Sequence, residues 1–375
     1  MWFKSLILIG LLLFSVGTAQ PRNPNVLLLR VLLGQQSKVS ILMPANHSAL
    51  FADGTTISSS DTALEWRISV LGNDIGIETA TGIFDTGKDR LILQSNTSYF
   101  QYNGKLYRGA AVLLARGGQV MLVNAVDVEE YVRGVIPLEM PTHWQDEALK
   151  AQAVIARTYA IANINSKADY DLCDSERCQV YGGATAETPR GDAAAASTRG
   201  LILSYGNKPA RTYFHAESGG FTASSREIWG GDLPYLTARP DPGGVSSPNA
   251  WRVTVSQATA QSVINRFVNI GTFRSMRVLD RTESNRPSSI EIVGSTGTSK
   301  ITGTNIYTLA RALGAKSSMI DVVSSNPLII EGYGNGHGVG LSQYGARYFA
   351  AQGYGYTQIL GYYYPGVGIG AYAVQ

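Results

Sequence analysis

The sequence predicts an α+β fold, in which a mixed core surrounds a long alanine-rich helix and strand-rich segments flank it. Three features predict this class. Residues 26–126 carry short alternating apolar runs, residues 143–165 carry small apolar side chains at helical spacing, and residues 251–330 combine both patterns. Alternation is typical of half-buried strands, whereas apolar residues three and four positions apart are typical of a helix.

The predicted strands come first along the chain. They are the runs VLLLRVLL, KVSILM, LEWRISVLG, RLILQS and AAVLLARGGQVMLVNAV, and the turn sequences ADGTT, NDIG, TGK and YNGK interrupt them. Glycine, asparagine and aspartate are the residues that favour tight turns between strands. Asp127 and Glu130 then form a capping-box pattern, which predicts a short helix.

A single carboxylate, Glu139, precedes the long predicted helix. Thr142 and Gln145 form a second capping-box pattern, so we expect Glu139 in the loop just before that helix, in a backbone held by Pro137 and Pro141. The apolar stripe of the helix consists of Leu149, Ala153, Ala156 and Ala160. Two interpretations of Glu139 stand. It is a structural acid at the helix N-terminus, whose field lowers a carboxyl pKa, or a general acid whose pKa is raised by apolar neighbours.

The second half of the chain alternates between strands and helices. Residues 198–216 predict a strand hairpin and residues 241–249 a loop. Within 251–330 we expect helices near SQATAQSVINRFVN and GTNIYTLARALG, and strands at SMRVLDRT and SSIEIVG. The last part, from residue 332, reads as a glycine-rich loop and then a helix.

Several functional classes are excluded by composition and motif. With 31 basic and 28 acidic residues the formal charge is only +3, which argues against a nucleic-acid partner. The glycines at 332, 334, 336, 338 and 340 alternate strictly, and no Walker lysine follows them, so nucleotide binding is not expected. The chain contains no G-x-S-x-G and no H-E-x-x-H, and it predicts no cofactor.

Histidine and serine residues mark two further segments. His215 is followed by Ser218, Gly219 and Gly220, but no acid at an orienting spacing supports a serine nucleophile. The alternating glycines bracket His337. They predict a close backbone approach, either in a tightly packed loop or in a cleft wall that contacts a polymer substrate.

The first 19 residues predict a secretory signal. Lys4 is followed by an apolar run that ends at Val16, and small residues at Gly17 and Ala19 suit cleavage. The alternative is an uncleaved anchor. We therefore expect an exported protein located in the periplasm, the cell envelope or the medium.

The two cysteines, Cys173 and Cys178, lie five positions apart. In an oxidising compartment this pair favours a short-loop disulfide. Free thiols and a metal site are the alternatives, although two thiolates supply only half of a zinc shell and no histidine lies in the segment.

Four ordered blocks resemble a known family. They are VEEYVRGVIPLEMPTHWQDEALKAQAVIARTYA, CQVYGG, YFHAESGGFTASSREIWGGDLPYL and GNGHGVGLSQYGARYFAAQGYGYTQILGYYYPG. They resemble the stage II sporulation protein D family, which includes the amidase enhancers called LytB, and the resemblance spans residues 26–370. It implies a strand-rich part at 26–120, a catalytic core at 120–240 and 330–375, and an α+β subdomain at 250–330.

The resemblance also implies a function. Catalytic members of this family are bacterial lytic transglycosylases that cut peptidoglycan glycan strands between N-acetylmuramic acid and N-acetylglucosamine, and the essential glutamate of their x-E-M-P motif falls on Glu139. The implied alternative is a non-catalytic wall-binding protein that stimulates a cell-wall amidase, and a third option is a purely structural role in the envelope. The expected substrate-binding residues are His215, Ser218, Gly219, Gly220, His337, Gln343 and Tyr344.

One departure concerns metal binding. Some family members bind zinc through cysteines and histidines near the C-Q-V-Y block, but Arg177 stands here where one such histidine would fall. We therefore expect no metal at this site. Nothing in the residues indicates spore formation.

Overall fold

The computed structural model describes residues 27–245 and 250–372, so the expected signal at 1–19 lies outside the described residues. The class is α+β, as predicted. Twelve strands fill the first hundred described residues: β1 (Leu28–Gln36), β2 (Lys38–Met43), β3 (His47–Leu50), β4 (Thr56–Ser60), β5 (Leu64–Leu71), β6 (Asp74–Thr79), β7 (Gly82–Asp85), β8 (Arg90–Ser95), β9 (Tyr99–Tyr102), β10 (Lys105–Arg108), β11 (Ala110–Arg116) and β12 (Gln119–Asp127).

These strands form two sheets that share one hydrophobic core. One sheet has the order β10-β9-β2-β5-β6-β7, and the other has β1-β12-β11-β8-β3-β4 with the short strand β13 (Leu172–Cys173) added beside β1. Side chains alternate between core and solvent, as in β2, where Val39, Ile41 and Met43 are buried. The alternation read from the sequence therefore corresponds to the inner faces of a sandwich.

Helices follow the sandwich. They are α1 (Val128–Glu139), α2 (Asp146–Ala162), α3 (Pro189–Ser197), α4 (Ser225–Trp229), α5 (Pro242–Val245), α6 (Gln257–Ile264), α7 (Asn305–Ala312), α8 (Gln343–Ala351) and α9 (Tyr356–Tyr363), with a 3-10 turn at Gly183–Ala186. The predicted long helix is α2, and α1, α3, α8 and α9 all pack against it. Its alanines are buried on several faces, which allows these close approaches.

Two details of the α1–α2 region correct the sequence interpretation. Glu139 does not lie in a loop, because α1 continues through Pro137 and Glu139 is its last residue. Burial of Val135 and Ile136 against the core offsets the loss of one helical hydrogen bond at the proline. The predicted capping box does not form either. Gln145 is the N-cap of α2 and makes no side-chain capping bond.

The remaining strands are short. They are β14 (Leu201–Tyr205), β15 (Lys208–Pro209), β16 (Phe214–His215), β17 (Phe221–Thr222), β18 (Arg239–Pro240), β19 (Trp251–Val255), β20 (Phe273–Arg281), β21 (Pro287–Gly294), β22 (Thr298–Thr302), β23 (Ile320–Ser325), β24 (Leu328–Gly332), β25 (Leu341–Ser342) and β26 (Gly368–Ala371). The predicted hairpin forms between β14 and β15. The expected loop at 241–249 instead begins with helix α5.

Residues 251–332, which we call the insert, have a hydrophobic core of their own. Two three-stranded sheets, β19-β24-β23 and β20-β21-β22, pack with α6 and α7 around it. The insert is fastened to the rest of the chain by polar contacts. The Trp251 indole donates to the carbonyl of Gly334 at 2.8 Å, and the buried Arg286 guanidinium donates to the carbonyls of Ser218 and Phe221, each at 2.9 Å.

The glycine-rich segment after the insert returns to the main core. Strand β25 pairs in parallel with β16, so Ser342 lies opposite His215. Single bridges join Glu217 to Asn335 and Ala223 to Val339. This pairing brings two segments separated by about 120 residues to one place. Across residues 27–245 and 250–372, no helix has the length and apolar character needed to cross a bilayer.

Candidate active site

Glu139 lies in the wall of a cavity of about 560 Å³, where the end of α1 meets the paired β16 and β25 segments. The volume is within the usual range for ligand sites. The cavity is lined by Leu138, Glu139, Tyr159, Glu176, Arg177, Cys178, Val180, Tyr213, Phe214, His215, Ala216, Trp229, Tyr307, Arg311, Asn335, Gly336, His337 and Gln343. The main core and the insert both contribute side chains to it.

The carboxyl of Glu139 is partly buried and singly hydrogen-bonded. Its Oε1 accepts the backbone N–H of Val180 at 2.8 Å. Burial raises the pKa of Glu139, the Val180 hydrogen bond opposes this, and the negative charge of Glu176 raises the pKa further. The carboxyl end of α1 also disfavours a negative charge there. Under the structural interpretation, Glu139 would accept hydrogen bonds from the N-terminus of α2. Its hydrogen bond comes instead from Val180, and its pKa is raised, which suits a general acid.

A disulfide-closed loop borders this carboxyl. Cys173 and Cys178 are bonded to each other, and the loop between them carries Glu176 and Arg177. Val180 lies two residues after Cys178, so the loop and the donor to Glu139 belong to one short segment. Across residues 27–245 and 250–372, no group of three or more histidine, cysteine or acidic side chains could hold a metal ion.

Two neutral histidines form the wall contributed by β16 and the glycine-rich segment. The rings of His215 and His337 are 5.5 Å apart. Nδ1 of His215 donates to the Val339 carbonyl at 3.2 Å, while Nδ1 of His337 accepts the Val339 N–H at 3.0 Å. Burial lowers the pKa of His337 to about 4 and that of His215 well below its usual range, so both rings are uncharged at neutral pH.

Aromatic rings extend this wall. Trp229 lies 4.5 Å from Tyr213 and 5.1 Å from His337 between ring centroids. Trp229 is nevertheless 41% exposed and lines the cavity. An exposed indole on a rigid support offers apolar area to a ligand.

The alternating glycines let two backbones meet at this wall. Gly336 has φ +107°, and a Cβ there would lie 2.8 Å from the Cβ of His215. At Gly340, φ is +72° and a Cβ would overlap the carbonyl oxygen of Tyr213. The glycine-rich segment is therefore a tightly packed loop. Gly336 and His337 of the same loop also line the cavity.

The structure separates the expected substrate-binding residues into two groups. His215, His337 and Gln343 line the cavity together with Glu139. Ser218 lies behind it, fully buried, and its Oγ donates to Asp241 Oδ2 at 2.6 Å. This bond aims the hydroxyl proton at a carboxylate rather than at a histidine.

The other expected residues also lie outside the cavity lining. Gly219 and Gly220 adopt positive φ angles of +80° and +100°, and the N–H of Gly220 donates to the Ser218 hydroxyl. Tyr344 packs edge-on against Trp144, with ring centroids 5.0 Å apart.

Sequence reasoning missed several residues that line the cavity. Tyr159, Tyr213, Trp229, Tyr307 and Arg311 face it from α2, the segment before β16, α4 and α7. Tyr307 and Arg311 are four positions apart on α7 and so share one helix face. The four-residue spacing was visible in the sequence, but no sequence pattern indicated which face of α7 lies toward the main core.

The chain is similar in sequence to proteins named for sporulation. Residues 116–205 match a family model described as Stage II sporulation protein. The chain is 33% identical over 267 residues to a Stage II sporulation protein D of Bacillus amyloliquefaciens, covering 66% of this chain and 75% of that protein. It is 32% identical over 311 residues to an uncharacterized protein of Brachyspira hyodysenteriae, covering 82% and 81%.

A third relative carries a different name. The chain is 30% identical over 289 residues to a Bacillus subtilis protein named amidase enhancer, covering 64% of this chain. The match spans only 40% of that relative's length.

Proposed function

This chain belongs to the stage II sporulation protein D family, and from that premise we propose that it acts on the bacterial cell wall as a lytic transglycosylase of peptidoglycan glycan strands. Glu139 is the proposed general acid and base. The observation that carries the proposal is a partly buried carboxyl with a raised pKa in the wall of a 560 Å³ cavity.

One carboxyl suffices for the proposed reaction. Protonated Glu139 gives its proton to the glycosidic oxygen as the bond to C1 of N-acetylmuramic acid breaks. The resulting carboxylate then takes the proton of the C6 hydroxyl of the same sugar as that oxygen bonds to C1. The products are a 1,6-anhydromuramic end and a free N-acetylglucosamine end, and Glu139 is protonated again.

The cavity also contains a second carboxyl, that of Glu176. It is exposed on the disulfide loop, whereas Glu139 is partly buried at the end of α1. Two carboxylates flanking a glycosidic bond are the arrangement of ordinary glycosidases, in which water attacks the sugar. The intramolecular route needs no such partner, so Glu176 is proposed to act only through its charge.

Several other lining residues suit the uncharged sugar rings of such a polymer. His215 and His337 are uncharged hydrogen-bonding groups, and Trp229 presents a ring face beside them. Gln343 adds an amide. Sugar hydroxyls and N-acetyl groups are recognised by neutral donors and acceptors of this kind together with apolar ring contacts.

Activity of the purified chain alone tests this proposal. We expect the wild-type protein to release soluble fragments from isolated stem-free glycan strands, and Glu139→Gln to release at least about a hundredfold less, the usual contribution of a general acid. Unchanged far-UV circular dichroism would show that the variant is folded. Equal release by both proteins would refute the role of Glu139.

The name of one relative favours a second candidate function, the stimulation of a cell-wall amidase. In that case the chain binds glycan and a partner enzyme but does no chemistry. Glu139→Gln protein that stimulates an added amidase as well as wild type does, while wild type alone cleaves no glycan, would support this candidate. Either function places the protein in the periplasm, the envelope or the medium, because peptidoglycan lies outside the cytoplasm.

A further inference from the structure

Two arginines line the cavity, one from the main core and one from the insert. Arg177 lies on the disulfide loop of the main core, and Arg311 lies on α7 of the insert. Neither has a role in the proposed proton transfer. The lining also contains the exposed carboxylate of Glu176. The two arginines outnumber this one negative charge, so the lining carries a net positive charge whenever Glu139 is protonated.

The guanidinium of Arg311 is held in place, and only some of its hydrogen-bond donors have partners in the described residues. Its Nη1 donates to the carbonyls of Ala315 and Lys316, at 2.9 and 3.2 Å, which fixes the guanidinium at the end of α7. Within the described residues its Nε and Nη2 meet no acceptor. Three other arginines of the insert are ion-paired instead, namely Arg252 with Glu331, Arg277 with Glu291 and Arg281 with Asp321.

Arg177 is exposed, and in the described part of the chain its guanidinium makes no hydrogen bond or ion pair. Its backbone is nevertheless constrained, because the Cys173–Cys178 bond closes the loop that carries it. A guanidinium without a protein partner keeps its forked donors available for a planar carboxylate.

We propose that Arg177 and Arg311 form a carboxylate subsite that binds the lactyl carboxylate of the muramic residue whose bond Glu139 breaks. This inference rests on the proposed function for the identity of the sugar. The lactyl group is attached to C3 of that same ring, so its carboxylate enters the cavity with the scissile bond. When a stem peptide is attached the group is an amide and carries no charge, and the arginines then distinguish bare from substituted glycan.

Binding to the full chain carrying Glu139→Gln tests the subsite without turnover. The ligands are stem-free glycan strands, the same strands with lactyl carboxylates converted to methylamides, strands that retain their stem peptides, and chito-oligosaccharides, which lack the lactyl group. Arg311→Gln and Arg177→Gln are each added to Glu139→Gln. Arg252→Gln, exposed on the insert and outside the cavity lining, is the matched control.

We expect each cavity variant to weaken binding of stem-free strands by roughly fivefold to tenfold, as for a partly exposed charge-assisted pair, and the control to change nothing. Methylamide strands and chito-oligosaccharides should bind weakly to all variants alike. Added salt should weaken only the binding of the charged strands.

Three results would overturn the subsite. They are equal affinity for charged and methylamide strands, cavity variants that bind like the control, and stem-bearing strands that bind tightly and lose affinity in the same variants. The last result would assign the arginines to stem-peptide carboxylates. A chain that cleaves no glycan but still discriminates charge would refute the transglycosylase and leave the subsite standing, so the two failures can be told apart.

Discussion

At the scale of single residues, the pKa of Glu139 is set by opposing effects of its surroundings. Burial and the nearby Glu176 raise its pKa, and one backbone N–H from Val180 opposes them. A carboxyl in this state costs stability when it ionises in the folded protein, because the unfolded chain solvates the charge better. Function and stability therefore conflict at this residue.

The first prediction concerns Glu139→Gln. Since the folded-state pKa is raised, the wild-type carboxyl favours the folded state most at pH below its unfolded value, and that contribution is lost as pH rises through the folded pKa. Glutamine does not titrate, and its side-chain oxygen can still accept the hydrogen bond from the Val180 N–H. We expect the variant to be more stable than wild type at pH 8 by up to about 1 kcal/mol, with the difference vanishing near pH 4.

Thermal unfolding of both proteins across this pH range measures the difference. Glu78→Gln on the sandwich, where the partly buried Glu78 pairs with the exposed Lys38, is a control for the loss of one carboxylate. A variant that is less stable than wild type at pH 8 would show that the ionised carboxyl stabilises the fold.

The second prediction concerns Glu176→Gln. Removing this negative charge lowers the pKa of Glu139, so less of the acid is protonated at neutral pH. We expect turnover to persist and the alkaline limb of the activity profile to move to lower pH, as measured by kcat/KM against pH. A loss as large as that of Glu139→Gln, at every pH, would make Glu176 a second catalytic carboxylate and favour hydrolysis.

The sequence could single out Glu139 as a candidate because the motif that carries it is local. Arg311 and Trp229 could not be identified in this way, since they enter the cavity from α7 and α4 through contacts between distant segments. His215 and His337 were expected in the site individually. Their pairing depends on the parallel β16–β25 contact, which no local pattern encodes.

At the scale of elements, the glycine-rich segment decides how closely the two halves of the wall approach. Gly338 and Gly340 have positive φ angles, and a Cβ at either position would overlap Arg286 or the backbone of Tyr213. The sequence predicted this close approach from the alternation alone. It misplaced the end of α1, because apolar burial there outweighs the helix-breaking tendency of Pro137.

The third prediction compares two glycines of similar conformation. Gly340→Ala combines a left-handed backbone with a clash against Tyr213, and we expect it to lower the free energy of unfolding by about 3 kcal/mol. Gly353→Ala has φ +86° with nothing within 4 Å, so the backbone term alone, about 1 kcal/mol, should remain. Denaturant titration of both variants gives the two values. Equal losses would mean that the wall accommodates a methyl group.

At the scale of the whole molecule, two hydrophobic cores meet across the cavity. The main core contains the sandwich, α1, α2 and the C-terminal helices, and the insert has its own cluster. The α+β class was predictable from periodicity. The way the insert docks was not, since it depends on polar contacts between distant segments, among them those of Trp251 and of the buried Arg286, whose pKa burial lowers to about 10.

The fourth prediction concerns this docking. Arg286→Met leaves the carbonyls of Ser218 and Phe221 without their buried donor, and we expect a loss of about 2 to 4 kcal/mol in unfolding free energy. The matched control is Arg277→Met on the same insert, where the side chain is exposed and paired with Glu291, so the loss should stay below about 1 kcal/mol. Chemical denaturation measures both. Losses of similar size would show that Arg286 does not fasten the insert.

The most direct test of the proposed transglycosylase is the identity of its products. Stem-free glycan strands are incubated with the purified wild-type chain in ¹⁸O-labelled water, and the new ends are analysed by mass spectrometry, with Glu139→Gln as the control. The proposal predicts 1,6-anhydromuramic ends that contain no ¹⁸O, from wild type only. Reducing ends that carry ¹⁸O would show that water attacks the sugar and would contradict the single-carboxyl mechanism.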